Sequence, residues 1–159
     1  MAGAMYRQVG FSLLELIAVL VVIGILAAVA APRMDHGSGI REFGFAALVL
    51  SDLRIAQYRA RADRCPVRVT VASSGFAIEQ RTTLCSGAFN RDVARSGESG
   101  ATLGGVPPEG MTLAATPAVF YFDPSGAAVG NVGGAAVDVV VAIGSRQIDV
   151  VGATGYAAF

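Results

Sequence analysis

From residue 11 to residue 31 the chain runs through 21 positions with one charge among them, Glu15. At about 1.5 Å per residue, a helix of that length spans the roughly 30 Å hydrocarbon core of a bilayer, so the pattern predicts a membrane-crossing helix. The apolar run closes at Pro32, and Asp35, His36, Gly37, Ser38 and Gly39 then predict a break or loop. Over residues 40–62, Phe43, Ala47, Leu50, Leu53, Ala56 and Ala60 return at helical spacing, with Arg54, Arg59, Arg61 and Asp63 polar to them. That is the signature of a second helical stretch with one face laid on a sheet.

Beyond this helix the period changes from 3.6 to 2. Val67, Val69 and Val71 alternate with Arg68 and Thr70; Ser73, Ser74 and Gly75 supply a turn; residues 76–80 pair back as a hairpin. Further strands are predicted at 119–122, closed by the turn Asp123-Pro124-Ser125-Gly126, at 137–143 and at 147–151. Residues 86–117 are rich in Gly, Ser, Thr and Pro, which predicts long loops with one short strand near 111–113. The fold class expected is α+β: a long N-terminal helix, its first half transmembrane, packed on antiparallel β-sheet in a small globular domain. The expected organisation is a short segment 1–10, a membrane helix 11–32, a linker and second half of the long helix over 33–62, and a β-rich domain over 63–159.

Composition changes this picture little. The 53% hydrophobic content averages a membrane-like segment with an ordinary globular remainder, and twelve basic residues balance twelve acidic ones. No overall field points to nucleic acid or acidic lipid. All twelve bases are arginine, and they thin out after residue 96, where Arg146 stands against Glu98, Glu109, Asp123, Asp138 and Asp149. A secretory signal peptide is the rival reading of the N-terminus, since Ala27, Ala28, Ala30 and Ala31 resemble a small-residue cleavage site. Its apolar region normally covers only about 7 to 15 residues, and the run here is longer. Arg7 before the span and Arg33 and Arg41 after it leave orientation undecided by charge.

Glu15 requires compensation, because an ionised carboxylate inside a bilayer costs about 2.5 to 3.5 kcal/mol on insertion scales. One turn into the span, it either snorkels to the headgroups or pairs with a positive charge from a neighbouring subunit, for which a cleaved chain's α-amino group is suited.

The stretch Gly10-Phe11-Ser12-Leu13-Leu14-Glu15-Leu16, with its apolar run and Pro32, resembles the N-terminus of type IV pilins and pseudopilins. The resemblance implies cleavage after Gly10 by a prepilin peptidase, N-methylation of Phe11, an assembly contact through Glu15 with the terminal amine of a neighbouring subunit, and a kink at Pro32. The leader departs from the pattern in carrying one Arg and no Lys. Implied partners are the peptidase, other pilins or pseudopilins, the inner-membrane assembly platform and membrane lipid. The implied location is the inner membrane, as a single-pass protein with a periplasmic C-terminal domain, and then a periplasmic or surface filament. Within the globular half, Arg54 to Ala62, Cys65-Pro66-Val67, Phe120 to Gly126, Ile148-Asp149-Val150 and Thr154-Gly155-Tyr156 look like the GspH/FimT group of minor subunits, and the minor pilins of mannose-sensitive haemagglutinin-type pili are similar in the same places.

The two cysteines, Cys65 and Cys85, are either a disulfide or two separate buried thiols, and an even count in an exported domain favours the bridge. No Cys-x-x-Cys is present, which disfavours a redox or zinc site. His36 is the only histidine and falls in the expected break, and no nucleophile elbow or phosphate-binding glycine pattern occurs. Neither an enzyme nor a cofactor nor a metal is expected. Some relatives in the FimT group bind DNA, and Arg54, Arg61, Arg64 and Arg68 are the residues that would contact phosphates here. Asp52 and Asp63 dilute that set and the tail 152–159 has no base, so structural assembly ranks first and DNA binding second.

Overall fold

The computed structural model describes residues 12–30, 37–83, 85–95 and 100–159. Two compact units are present, residues 1–38 and 39–159.

In the first unit, helix α1 covers Leu13–Ala30. Ser12 begins it: its Oγ accepts from the Glu15 backbone N–H at 3.2 Å, and its carbonyl accepts from the amides of Glu15 and Leu16. Ser-x-x-Glu is the sequence of a capping box, and a carboxylate in the first turn also complements the helix dipole. The described side chains from Leu13 to Leu26 are all exposed. A helix apolar on every side has no face of its own to turn to water. Among the described residues no helix is long and apolar enough to cross a membrane. The 18 residues of α1 reach about 27 Å at 1.5 Å each. Residues 11, 31 and 32 of the expected span lie outside the described residues, as do Gly10, Phe11, Pro32 and His36 among those singled out above.

The second unit is built on helix α2, Gly37–Asp63. Its buried face is Phe45, Ala46, Val49, Leu50, Leu53, Ala56 and Ala60. The centre of that stripe, 46-49-53-56-60, steps by three and four. Leu50, Leu53, Ala56 and Ala60 of the expected face are in it, whereas the structure corrects its start: Phe43 is 52% exposed and Ala47 is half-buried. The reason is Asp52, which is fully buried in the middle of the true face and interrupts its apolar pattern. Arg64 ends the helix with φ 52°, the left-handed conformation common just past a helix C-terminus, and Pro66 prevents continuation.

The strands are β1 Val67–Ala72, β2 Gly75–Thr83, β3 Ser86–Asp92, β4 Gly104–Gly105, β5 Leu113–Thr116, β6 Val119–Phe122, β7 Ala128–Val129, β8 Val139–Ile143, β9 Arg146–Val150 and β10 Ala157–Ala158. One antiparallel sheet has the order β3-β2-β1-β6-β7, with β4 also on β2; the other runs β10-β9-β8-β5. The expected hairpin is present in register, with Val67, Val69 and Val71 opposite Gln80, Ile78 and Phe76. The strand expected at 137–143 begins later, because the Val137 amide donates to Ala128 instead of joining the ladder. The region expected as loops holds three strands, of which β3 is the largest departure. It is an edge strand with no buried position, so alternation has nothing to reveal.

Alternate residues of β1, β2, β6, β8 and β9 meet the α2 stripe in one core, with Phe120, Phe122, Ile78, Val141 and Ile148 fully buried. The fold class is therefore α+β as expected, with α2 sharing the core of the strands.

Candidate functional site

Three polar devices surround this core, and they engage five of the twelve arginines. The first joins the outer side of α2 to the C-terminal tail. Arg54 donates to the Ala157 carbonyl from Nε at 3.3 Å and from Nη2 at 3.0 Å. Gln57 Nε2 donates to Gly126 O and Thr154 O, and Arg61 reaches Ser125 O at 2.9 Å and Thr154 O at 3.2 Å. These donors lie at 54, 57 and 61, one helical stripe, and each meets carbonyls that the tail and the β6–β7 turn leave unpaired. The turn holds itself in shape, because Asp123 Oδ1 accepts from Ser125 N, Ser125 Oγ and Ala127 N. Gly155, at φ 65°, lies where a Cβ would collide with the Gly126 carbonyl. Tyr156 lies under the Arg54 guanidinium at 6.0 Å, and Phe159 stacks on Phe43 at 6.3 Å.

The second device is on the opposite face of the larger sheet, since Arg68 alternates with the inward valines of β1. Arg68 pairs with Glu79 at 2.6 Å and donates to Phe89 O at 2.7 Å. Arg68 and Arg81 both lie over the Phe89 ring, which also contacts Tyr121. The third device is a buried ion pair. Arg95 Nη2 meets Asp52 Oδ2 at 2.7 Å, and the Gly104 amide donates to the same oxygen at 2.9 Å. Burial pushes the Asp52 carboxyl up, against the opposing pull of the Gly104 amide and the Arg95 guanidinium. In the sequence Asp52 counted only as a charge diluting the arginines; a lone acid inside a helical apolar stripe is the signal that marks it as a core residue.

This geometry decides the arginine set proposed for phosphate. Arg54 and Arg61 are turned to the tail, Arg68 faces away on the other side of the sheet, and exposed Arg64 occupies the helix end. The set is divided between the tail contact, the far side of the sheet and the helix end, and the DNA-binding alternative is not supported. Cys65 and Cys85 are joined by a disulfide with Cα atoms 4.9 Å apart, tying the start of β1 to the β2–β3 turn. Beside it a groove of about 440 Å³ is lined by Arg59, Asp63, Gln80, Arg91 and Asp92. Gln80 is buried there, donating to Asp63 and accepting from Arg91. Among the described residues no group of three or more His, Cys, Asp or Glu side chains is placed to hold a metal ion.

Glu15 stands on the exposed apolar surface of α1, and among the described residues its carboxylate has no partner. Sequence reasoning singled it out but passed over Ser12, although the spacing Ser-x-x-Glu was there to be read.

Comparison with known proteins adds a family match at this end of the chain. The model described as the prokaryotic N-terminal methylation motif matches residues 5–31. No curated protein matches the chain. Among solved structures, the chain is similar to the type IV minor pilin FimU of Pseudomonas aeruginosa at 17% identity, covering 70% of this chain and 81% of that one with a TM-score of 0.45. It is also similar to the minor pseudopilin EpsH of the Type 2 Secretion System of Vibrio cholerae at 12% identity, covering 76% and 93% with a TM-score of 0.48.

Proposed function

We propose that this chain, whose N-terminus carries the methylation motif, is a minor pilin or pseudopilin, a structural subunit of a type IV pilus or a type II secretion pseudopilus. The observation that carries the reading is the motif match over residues 5–31. In this reading prepilin peptidase cuts between Gly10 and Phe11, and Phe11 becomes the methylated N-terminus. The apolar helix holds the subunit in the inner membrane, with the globular unit in the periplasm, until other pilins and the assembly platform draw it into the filament.

The chemistry of α1 supports each role. An all-apolar helix is stable among lipid tails or other apolar helices, and both environments penalise a lone carboxylate. Glu15 is best compensated by a cation that arrives only when a neighbour docks, and the amine freed by cleavage is such a cation. Pro32, two residues past the last residue of α1, lacks the N–H that would continue the helix ladder. A subunit of this kind works through its surfaces, and the tail clamps and disulfide keep its exported unit in one shape.

Mass spectrometry of the full chain coexpressed with a prepilin peptidase tests the proposal. The expected product begins at Phe11 and is one methyl group heavier than the cleaved chain. A filament-associated protein that still begins at Met1 overturns it.

A further inference from the structure

Asp52 is fully buried on the core face of α2, beside Val49 and Leu53, and nothing in an assembly role requires a carboxylate there. Its Oδ2 holds two groups from outside the helix: Arg95 Nη2 at 2.7 Å and the Gly104 amide at 2.9 Å. Its Oδ1 has no hydrogen-bond partner, nor does the Arg95 Nε. A buried pair with unmet hydrogen bonds is a poor source of net stability, while losing one member leaves a stranded charge. Such a pair is better suited to fixing where a segment sits.

The segment it fixes consists of the two arms 93–95 and 101–105. They are tied to each other, because the Arg95 amide donates to Ala101 O and the Leu103 amide to Val93 O. Their backbones rest on β2 through Val93 N to Ile78 O and the two-residue pairing of β4 with Phe76 and Ala77, and one side chain of each arm, Val93 and Leu103, enters the shared core. Gly104 takes φ 126° and comes so close that a Cβ would lie 2.7 Å from Phe76 O. Gly105 lies over the apolar side chains of α2 and β2, where a Cβ would touch Phe45, Leu48 and Phe76.

From this we infer that Asp52 and Arg95 form a charge-dependent pin that docks the 93–95 and 101–105 arms on α2. Neutralising the pin frees the arms and uncovers the apolar surface of Phe45, Leu48 and Phe76, while the rest of the globular unit stays folded. Asp52 is a positioning residue in this scheme. Asparagine at 52 keeps an oxygen for the Gly104 amide and removes only the charge pairing, so the inference separates the pin from ordinary core packing.

Hydrogen exchange read by mass spectrometry on the full chain in detergent micelles tests it, comparing wild type with Asp52→Asn and Arg95→Gln. Loss of one charge-assisted bond should raise exchange at 93–95 and 101–105 by about tenfold or more. Residues 67–72 and 139–150 should keep the wild-type rate. Arms that exchange as in wild type overturn the inference, and so does a rise shared with 67–72 and 139–150. If the single variants do not fold, Asp52→Asn combined with Arg95→Gln leaves no unpaired buried charge, and the same two readings decide on that protein.

Discussion

Arg61 and Thr154 are 93 residues apart, and the Arg61 Nη2 donates to the Thr154 carbonyl at 3.2 Å while its Nε holds Ser125 O. Two carbonyls that neither sheet uses thus become anchors between α2 and the C-terminal tail. Arg61 is solvent-exposed, so its bonds compete with water, and Arg61→Ala should cost about 1 kcal/mol, below the roughly 1.5–3 kcal/mol usual for hydrogen bonds to charged groups. Arg61→Lys should recover little, since an ammonium cannot place two N–H groups in the fork geometry. Urea unfolding of the full chain in micelles, followed by tryptic cleavage after residue 146, checks both. Tail release without a change in midpoint contradicts the energetic estimate.

The disulfide between Cys65 and Cys85 closes a separation of 20 residues. In the chain-entropy account a loop of this size stabilises the folded state by about 3 kcal/mol, through the unfolded state. Reduction, or Cys65→Ser with Cys85→Ser, should lower the urea midpoint by that energy. The unfolding slope should rise slightly, because the uncrosslinked chain exposes more surface.

What was legible in the sequence and what was not follows from where each pattern has its cause. The Val67–Phe76 hairpin was readable because one face of β1 is buried and the other is not, which is what alternation encodes. The α2 face was read correctly at Leu50, Leu53, Ala56 and Ala60 and missed at Phe43 and Ala47, where Asp52 hides the true stripe by occupying a core position with its partner Arg95 43 residues away. β3 carries no buried position, so it leaves no trace in hydrophobic order. The arginines at 54 and 61 read only as polar positions and candidate phosphate contacts because their acceptors are backbone carbonyls, which no side-chain pattern announces. The apolar run with Glu15 was legible at once, since it rests on composition alone.

Glu42 gives a pH dependence with a definite sign. Its carboxylate accepts from Ser145 Oγ at 2.7 Å and Ser145 N at 3.0 Å, with Arg146 at 3.8 Å, fastening the β8–β9 turn to the first turns of α2. The Ser145 hydroxyl is the chief cause holding its pKa below the usual 4.5, aided by the Ser145 amide and the Arg146 charge and opposed by desolvation. A carboxylate with a lowered folded pKa stabilises fully above its unfolded value, and that contribution fades as pH falls through the folded one. The melting-temperature gap between wild type and Glu42→Gln should therefore be constant above pH 4.5 and shrink below it. A gap that widens in acid reverses the sign and contradicts the contact.

Glu15 has two physical roles that a single truncation would confuse. It sits at the third helical position after Ser12, whose Oγ accepts its amide, so a polar side chain there belongs to the cap of α1. Its charge is the feature that the assembly reading needs. Glu15→Gln keeps the length and hydrogen-bonding capacity of the cap and removes only the charge, whereas Ser12→Ala removes a cap acceptor and keeps the charge. If Glu15 acts by pairing with a neighbour's amine, Glu15→Gln should fail to enter sheared filaments as completely as Glu15→Ala. Ser12→Ala, costing about 1 kcal/mol of local helix stability, should still be incorporated. The reverse order, with Gln tolerated and Ser12→Ala excluded, would make Glu15 a capping residue and remove it from the assembly contact. In every variant the urea midpoint of the 39–159 unit should match wild type, because none of these substitutions touches its core.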